Sequence, residues 1–146
     1  MSIEENKAVM QRIFKEILNE GKIEIANEVV AEDYVFHGPG GSEFKGIEGF
    51  KKFMTWIHKS FPGSNYTIDD LIAEGDKVVC FYTMEGKHKS NKQVKFQAIV
   101  IARIVNGKEV EVWDIFDRLT IALQVAPGWA TVMLRLIEKQ MVKDLP

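Results

Sequence analysis

The sequence predicts an α+β fold in which N-terminal helices pack in the hollow of a strongly curved antiparallel sheet. Three observations predict it. Apolar residues recur at helical spacing as far as Phe61, and beyond Asn65 the period changes to alternation. Four alternating runs then follow one another through short turns containing Gly, Asn or Ser, which implies an antiparallel meander. The middle two runs are apolar on both faces, whereas a sheet with one solvated side reads hydrophobic-in and polar-out.

Each element has its own signal. Ser2 and Glu5 form a capping-box pattern, after which Val9, Met10, Ile13, Phe14, Ile17 and Leu18 repeat at helical spacing until Gly21 stops the helix. A short second helix is predicted over Ile23 to Ala31, with Ile25, Ala26, Val29 and Val30 inward. EDYVFHGPGGSEFKG reads as two short extended pieces around a glycine-proline turn. A third helix is predicted from about Gly46 to Phe61, carrying Ile47, Phe50, Phe53, Met54 and Ile57, and Pro62-Gly63 ends it. The strands are YTIDDLIAEG, DKVVCFYTMEGKH, QVKFQAIVIARIV and EVEVWDIF. On one face Val78, Cys80, Tyr82 and Met84 should pair with Phe96, Ala98, Val100 and Ala102; Val79, Phe81, Ile99 and Ile101 share the other. The helices cover one face, and the other needs a partner, most simply a second copy, so a homodimer through the sheet face is expected. The tail PGWATVMLRLIEKQMVKDLP forms a last amphipathic helix within a C-terminal extension over 126–146 of a single domain, either packed on the domain or its twin, or serving as a lid.

Composition narrows the functional classes. The 146 residues suit one domain, and 46% hydrophobic with 27% charged residues is ordinary for globular chains. A net charge of −2 with no basic half argues against nucleic acid, and no apolar run approaches the ~20 residues that span a bilayer. The N-terminus is charged from the start, unlike a signal peptide, so a cytoplasmic protein is expected. The single cysteine, Cys80 in VVCFY, reads as a small buried hydrophobe and excludes an internal disulfide. His37, His58 and His88 have no metal-ligand spacing.

The chemistry concentrates in NGKEVEVWDIFDRL, from Asn106 to Leu119. Asn-Gly between alternating runs is a hairpin turn, because both residues tolerate positive φ. Asp114 and Asp117 follow among Trp113, Ile115 and Phe116. A carboxylate among large apolar groups is costly to desolvate, so its pKa rises toward the range that general acid–base chemistry uses. The plainer alternative places both aspartates at the solvated end of the strand. A curved sheet cannot touch its helices everywhere, and the cavity left over, lined by Phe, Trp, Met and Val, suits a small apolar ligand.

The order of elements, GKH at Gly86 to His88, and NGKEVEVWDIFDRLTIALQ together resemble the SnoaL-like polyketide cyclases (ester cyclases), of the nuclear-transport-factor-2-like superfamily with its cystatin-like α+β cone. The resemblance runs from about Glu5 to Gln124 and rests on GK-x-x-E-x-W-D-x-x-D with a Gln seven residues on. It implies ring closure by intramolecular aldol condensation without metal or organic cofactor. Asp114 matches the aspartate that removes a proton flanked by carbonyls, and Asp117 matches the family's second aspartate. Two features depart from the pattern. Ala98 and Val100 stand where the cyclases carry a Gln and a His, and SNKQ replaces a longer insert over the pocket mouth, a cover the tail beyond Gln124 would supply.

His37, after Tyr34 and Phe36, lies near where the resemblance places the pocket opening and joins Asp114 as a catalytic candidate; a histidine satisfied by a backbone carbonyl is the alternative. The candidate lining is Tyr34, Phe53, Trp56, Tyr82, Phe96, Ala98, Val100, Val112 and Phe116. Trp113 alternates with Asp114, which puts it on the opposite, dimer-facing side unless a bulge re-aims it. Three readings follow: an enzyme acting on a small carbonyl-bearing metabolite, a non-catalytic dimeric binder of a small hydrophobic molecule, and isomerase or hydrolase chemistry needing His37 or Tyr34 opposite Asp114.

Overall fold

The structure, a computed structural model, describes residues 2–143. Helix α1 (Ile3–Arg12) starts at the expected capping box, with Glu5 N–H donating to Ser2 Oγ at 3.2 Å and Ser2 N–H to Glu5 Oε2 at 2.6 Å. It continues as a π-helical stretch, Ile13–Asn19, and the chain turns at Gly21, whose φ is +72°. Asn19 then clamps the backbone of Tyr66, accepting from its N–H at 2.7 Å and donating to its carbonyl at 2.9 Å. The helical layer is thereby tied to the start of the meander.

The second helix is shorter than its sequence signal. A 3₁₀ turn, Ile23–Ile25, and one turn of helix, α2 (Ala26–Val29), give way at once to β1 (Val30–His37). Val29 and Val30 are β-branched, and Val30 is already paired with Glu109, so extended pairing wins over helix continuation. A turn at Pro39–Gly41 leads to β2 (Glu43–Lys45) and then α3 (Gly46–Ser60).

The four meander strands are β3 (Asn65–Glu74), β4 (Lys77–Lys87), β5 (Gln93–Val105) and β6 (Lys108–Ile115). The register matches the alternation: Val78 opposes Ala102, Cys80 opposes Val100, Tyr82 opposes Ala98 and Met84 opposes Phe96. Asn106 and Gly107 both have positive φ, +50° and +77°, as the tight hairpin requires. The sheet is larger than the meander and is mixed. Its order is β2-β1-β6-β5-β4-β3, and β1 runs parallel to β6 while the other neighbours are antiparallel. Local pattern could not reveal that pairing, which joins residues some eighty positions apart.

Met10, Ile17, Val29, Val30, Phe50, Val78, Cys80 and Met84 form the buried centre between the helices and the concave face. After β6, helices α4 (Arg118–Val125) and α5 (Gly128–Met141) close the described chain. No helix among the described residues is long and apolar enough to cross a membrane.

Candidate active site

Between the concave face of the sheet, α3 and α4 lies a cavity of about 460 Å³, and beneath it an inner chamber of about 60 Å³. Asp114 borders both. Strand β6 brings it there by alternation, with Val112 and Asp114 inward and Trp113 outward. The Tyr82 hydroxyl donates to Asp114 Oδ1 at 3.3 Å, and Tyr82 is itself braced edge-on by Phe14. Burial raises the Asp114 carboxyl from its ordinary 3.8 to about 7, against the smaller opposing pull of the Tyr82 hydrogen bond. The same burial, reinforced by the nearby Asp114 charge, lifts the Tyr66 and Tyr82 hydroxyls well above the usual tyrosine range, so both stay protonated donors.

Aromatic side chains make about half of the outer wall. Phe36, Phe53 and Phe44 pack together, Trp56 stacks on Phe53 at the rim, and Phe96 faces Phe116. Helix α4 supplies the cover through Arg118, Ile121, Ala122 and Val125. The two family-pattern residues hold this helix in place. Asp117 caps it, accepting from Leu119 N–H at 2.9 Å and from Thr120 Oγ1 at 2.6 Å. Gln124 clips it to β5, donating to Lys95 O at 2.9 Å and accepting from Lys95 N–H at 2.7 Å. The expected cover from beyond Gln124 therefore needs correcting: the cover comes from residues 118–125. Helix α5 packs against α4 and leaves Trp129, 76% exposed, with Leu136 and Met141 facing outward.

The structure places the other candidates as follows. Tyr34, Val100 and Val112 line the inner chamber; Trp56, Phe96 and Phe116 line the outer cavity; Phe53 and Tyr82 line both. Ala98 is buried on the concave side but lines neither space. His37 does not line them either, and here the expected position needs correction. Tyr34 and Phe36 point inward on β1, so His37 points outward by alternation. Its ring stacks on Trp113 at 5.1 Å, with Nε2 3.0 Å from Glu111 and Nδ1 3.3 Å from Glu43, beside a separate, more open hollow whose edge Asp114 and Phe116 also reach. Glu111 also pairs with Arg103, and these partners, His37 first, hold its carboxyl below the usual range.

Sequence reasoning missed Glu109. In KEVEV, simple alternation sets Glu109 beside Glu111 on one face. A β-bulge at Val110, where Glu111 opposes Arg103 but Glu109 opposes Ile104, turns Glu109 inward instead. It is 3% exposed and lines the inner chamber together with Tyr34. No local sequence feature announces the bulge. Among the described residues, no group of three or more His, Cys, Asp and Glu side chains is placed to hold a metal ion.

Helices packed into a curved mixed sheet around a cavity define a nuclear-transport-factor-2-like α+β cone. The chain belongs to the SnoaL-like polyketide cyclase family, whose model matches residues 8–125. A Jannaschia sp. CCS1 protein assigned as a SnoaL-like polyketide cyclase superposes with a TM-score of 0.81 at 19% identity, over 88% of this chain and 97% of that one. A Bacillus cereus protein assigned to the polyketide cyclases is 31% identical, with a TM-score of 0.73 over 82% of this chain and 79% of that one. A Burkholderia pseudomallei NTF2-like protein of unknown function has a TM-score of 0.77 at 16% identity, over 87% of this chain and 100% of that one. No curated protein matches the chain.

Proposed function

We propose that this chain is an acid–base catalyst of the aldol or cyclase type, acting on a small apolar compound with a carbonyl group, with Asp114 as the base. One observation carries the reading: a carboxyl at the junction of two apolar chambers whose pKa, about 7, makes it a usable base and a usable acid at neutral pH. The Asp114 carboxylate takes a proton from the carbon next to the carbonyl, leaving an enolate. The enolate carbon attacks a second carbonyl of the same molecule, and the alkoxide formed takes the proton back. The sequence is redox-neutral, so it calls for no electron acceptor. The wall's share is to hold the folded substrate in a reactive geometry and exclude water.

The test uses 2-tetralone, a bicyclic ketone with acidic α-hydrogens. In D₂O the protein should accelerate exchange of these hydrogens, seen by NMR, and Asp114→Asn should remove about 10²–10⁴-fold of that acceleration while sparing 2-tetralone affinity. Exchange no faster than in buffer, or undiminished in Asp114→Asn, refutes the assignment.

A second reading, a non-catalytic carrier of a hydrophobic molecule, draws support from the mainly aliphatic and aromatic wall of the outer cavity. It predicts equal binding by the wild type and Asp114→Asn with no exchange in either. Under both readings we place a second copy of the chain on the convex face, where Val79, Phe81, Ile99 and Ile101 leave apolar surface partly uncovered.

A further inference from the structure

The inner chamber ends on an acid for which the acid–base route above has no use. Glu109 reaches it only because the bulge at Val110 reverses the alternation of β6, and Tyr34 comes from the unpaired stretch of β1 between Val30 and Val35. Two local irregularities thus bring one carboxyl and one phenol together in a chamber that Asp114, Tyr66 and Tyr82 also line. Taking a carboxyl out of water is costly, and a valine turned inward there would avoid that cost. Burial raises the Glu109 carboxyl to about 8, with the Asp114 charge acting in the same direction and the Tyr34 side chain against it. At neutral pH the group is mainly the protonated acid, which has one O–H to donate.

The chamber selects what that O–H can meet. About 60 Å³ equals roughly two water molecules at about 30 Å³ each, room for an acyl end but not for a ring. Asp114 borders the space and carries negative charge in part at neutral pH, and no Lys, Arg or His lines it to offset a carboxylate or phosphate end, which is disfavoured. A neutral oxygen is left as the acceptable occupant.

We propose that the inner chamber is a carbonyl-binding subsite in which Glu109, positioned by Tyr34, donates a hydrogen bond to a neutral oxygen of the ligand. The inference deepens the reading of the cavity as a ligand site and rests on it. It fixes the class of compound as a neutral ketone, aldehyde or ester with a slender carbonyl terminus, inserted carbonyl first so that the adjacent carbon lies against Asp114. Glu109 is then a ligand-contacting, specificity-determining residue and Tyr34 a positioning one.

The experiment compares two probes of nearly the same shape, 2-acetylnaphthalene and 2-ethylnaphthalene, titrated by calorimetry into the wild type, Glu109→Leu, Glu109→Gln and Tyr34→Phe. Glu109→Leu should weaken the ketone about 5- to 10-fold, the worth of one neutral hydrogen bond, and leave the hydrocarbon within twofold. Glu109→Gln, which keeps an N–H donor, should retain most of the ketone affinity, and Tyr34→Phe should lose about threefold of it. The infrared carbonyl stretch of the bound ketone should move to higher frequency in Glu109→Leu as its hydrogen bond is lost. A ketone-to-hydrocarbon preference unchanged across the variants overturns the subsite while leaving the Asp114 assignment standing. Should Glu109→Leu fail to fold, Tyr34→Phe decides: a ketone affinity and a carbonyl frequency both equal to those of the wild type overturn the proposal. Binding of neither probe by the wild type overturns the subsite together with the cavity's reading as a ligand site.

Discussion

Replacing Glu109 by glutamine should remove from this protein a dependence of stability on pH. In the folded chain the Glu109 carboxyl stands at about 8, raised from its ordinary 4.5 mainly by burial. On unfolding it returns to the ordinary value, so the native state holds this proton more tightly than the unfolded chain does. The stability that results is fully present below about pH 4.5 and is lost as pH rises through about 8. At about 1.36 kcal/mol per pKa unit the whole displacement corresponds to ~4–5 kcal/mol, of which ~3 kcal/mol falls between about pH 5 and 8. For a chain of this size ~1 kcal/mol moves the melting temperature by roughly 2–4 °C, so Glu109 alone should lower Tm by roughly 6–12 °C across that window. Asp114, raised from 3.8 to about 7, slopes in the same direction, but wild type and variant share it. The difference between the two melting curves, recorded by calorimetry from about pH 5 to 9 at fixed ionic strength, isolates Glu109. Glu109→Gln should therefore gain on the wild type steadily as pH rises. Parallel curves would show that the carboxyl is ionised at neutral pH in the folded chain, and would refute the neutral-donor argument.

Two further outcomes are expected. Asp117→Ala removes the cap of α4 and should cost about 1 kcal/mol by thermal melting. Because α4 carries Ile121, Ala122 and Val125 into the cavity wall, affinity for 2-acetylnaphthalene should fall in the same variant; calorimetry showing unchanged affinity would mean that the wall does not depend on the cap. Ile99→Lys, on the convex face, should convert a sedimenting dimer into a folded monomer, and a wild type that sediments as a monomer at micromolar concentration would refute the second copy.

The positions of Asp114 and of the paired core residues on β4 and β5 were legible because each depends on one rule, the two-residue repeat of a strand, applied within a hairpin. The same rule mispredicts Glu109 and leaves His37 ambiguous. Glu109 obeys a bulge, which depends on how β6 meets β5 and β1 together and leaves no mark in KEVEV. For His37 the alternation was readable, but which side of the strand faces the cavity was not, since β1 has no hairpin partner on β6 to fix it. Asp117 and Gln124 stood out by their spacing, yet only the folded chain shows that one caps α4 and the other ties it to β5.

By itself the sequence determined the local elements, the meander and its register, and an aspartate set among large apolar groups, because caps, glycine turns and periodicity act over a few residues. Only the tertiary structure decided that β1 joins β6 in parallel, that α4 rather than the tail covers the cavity, and that a second acid stands in the chamber behind the first. Those outcomes follow from contacts between distant segments, where burying apolar surface outweighs local preference and can hold a carboxyl where no short-range pattern would place one.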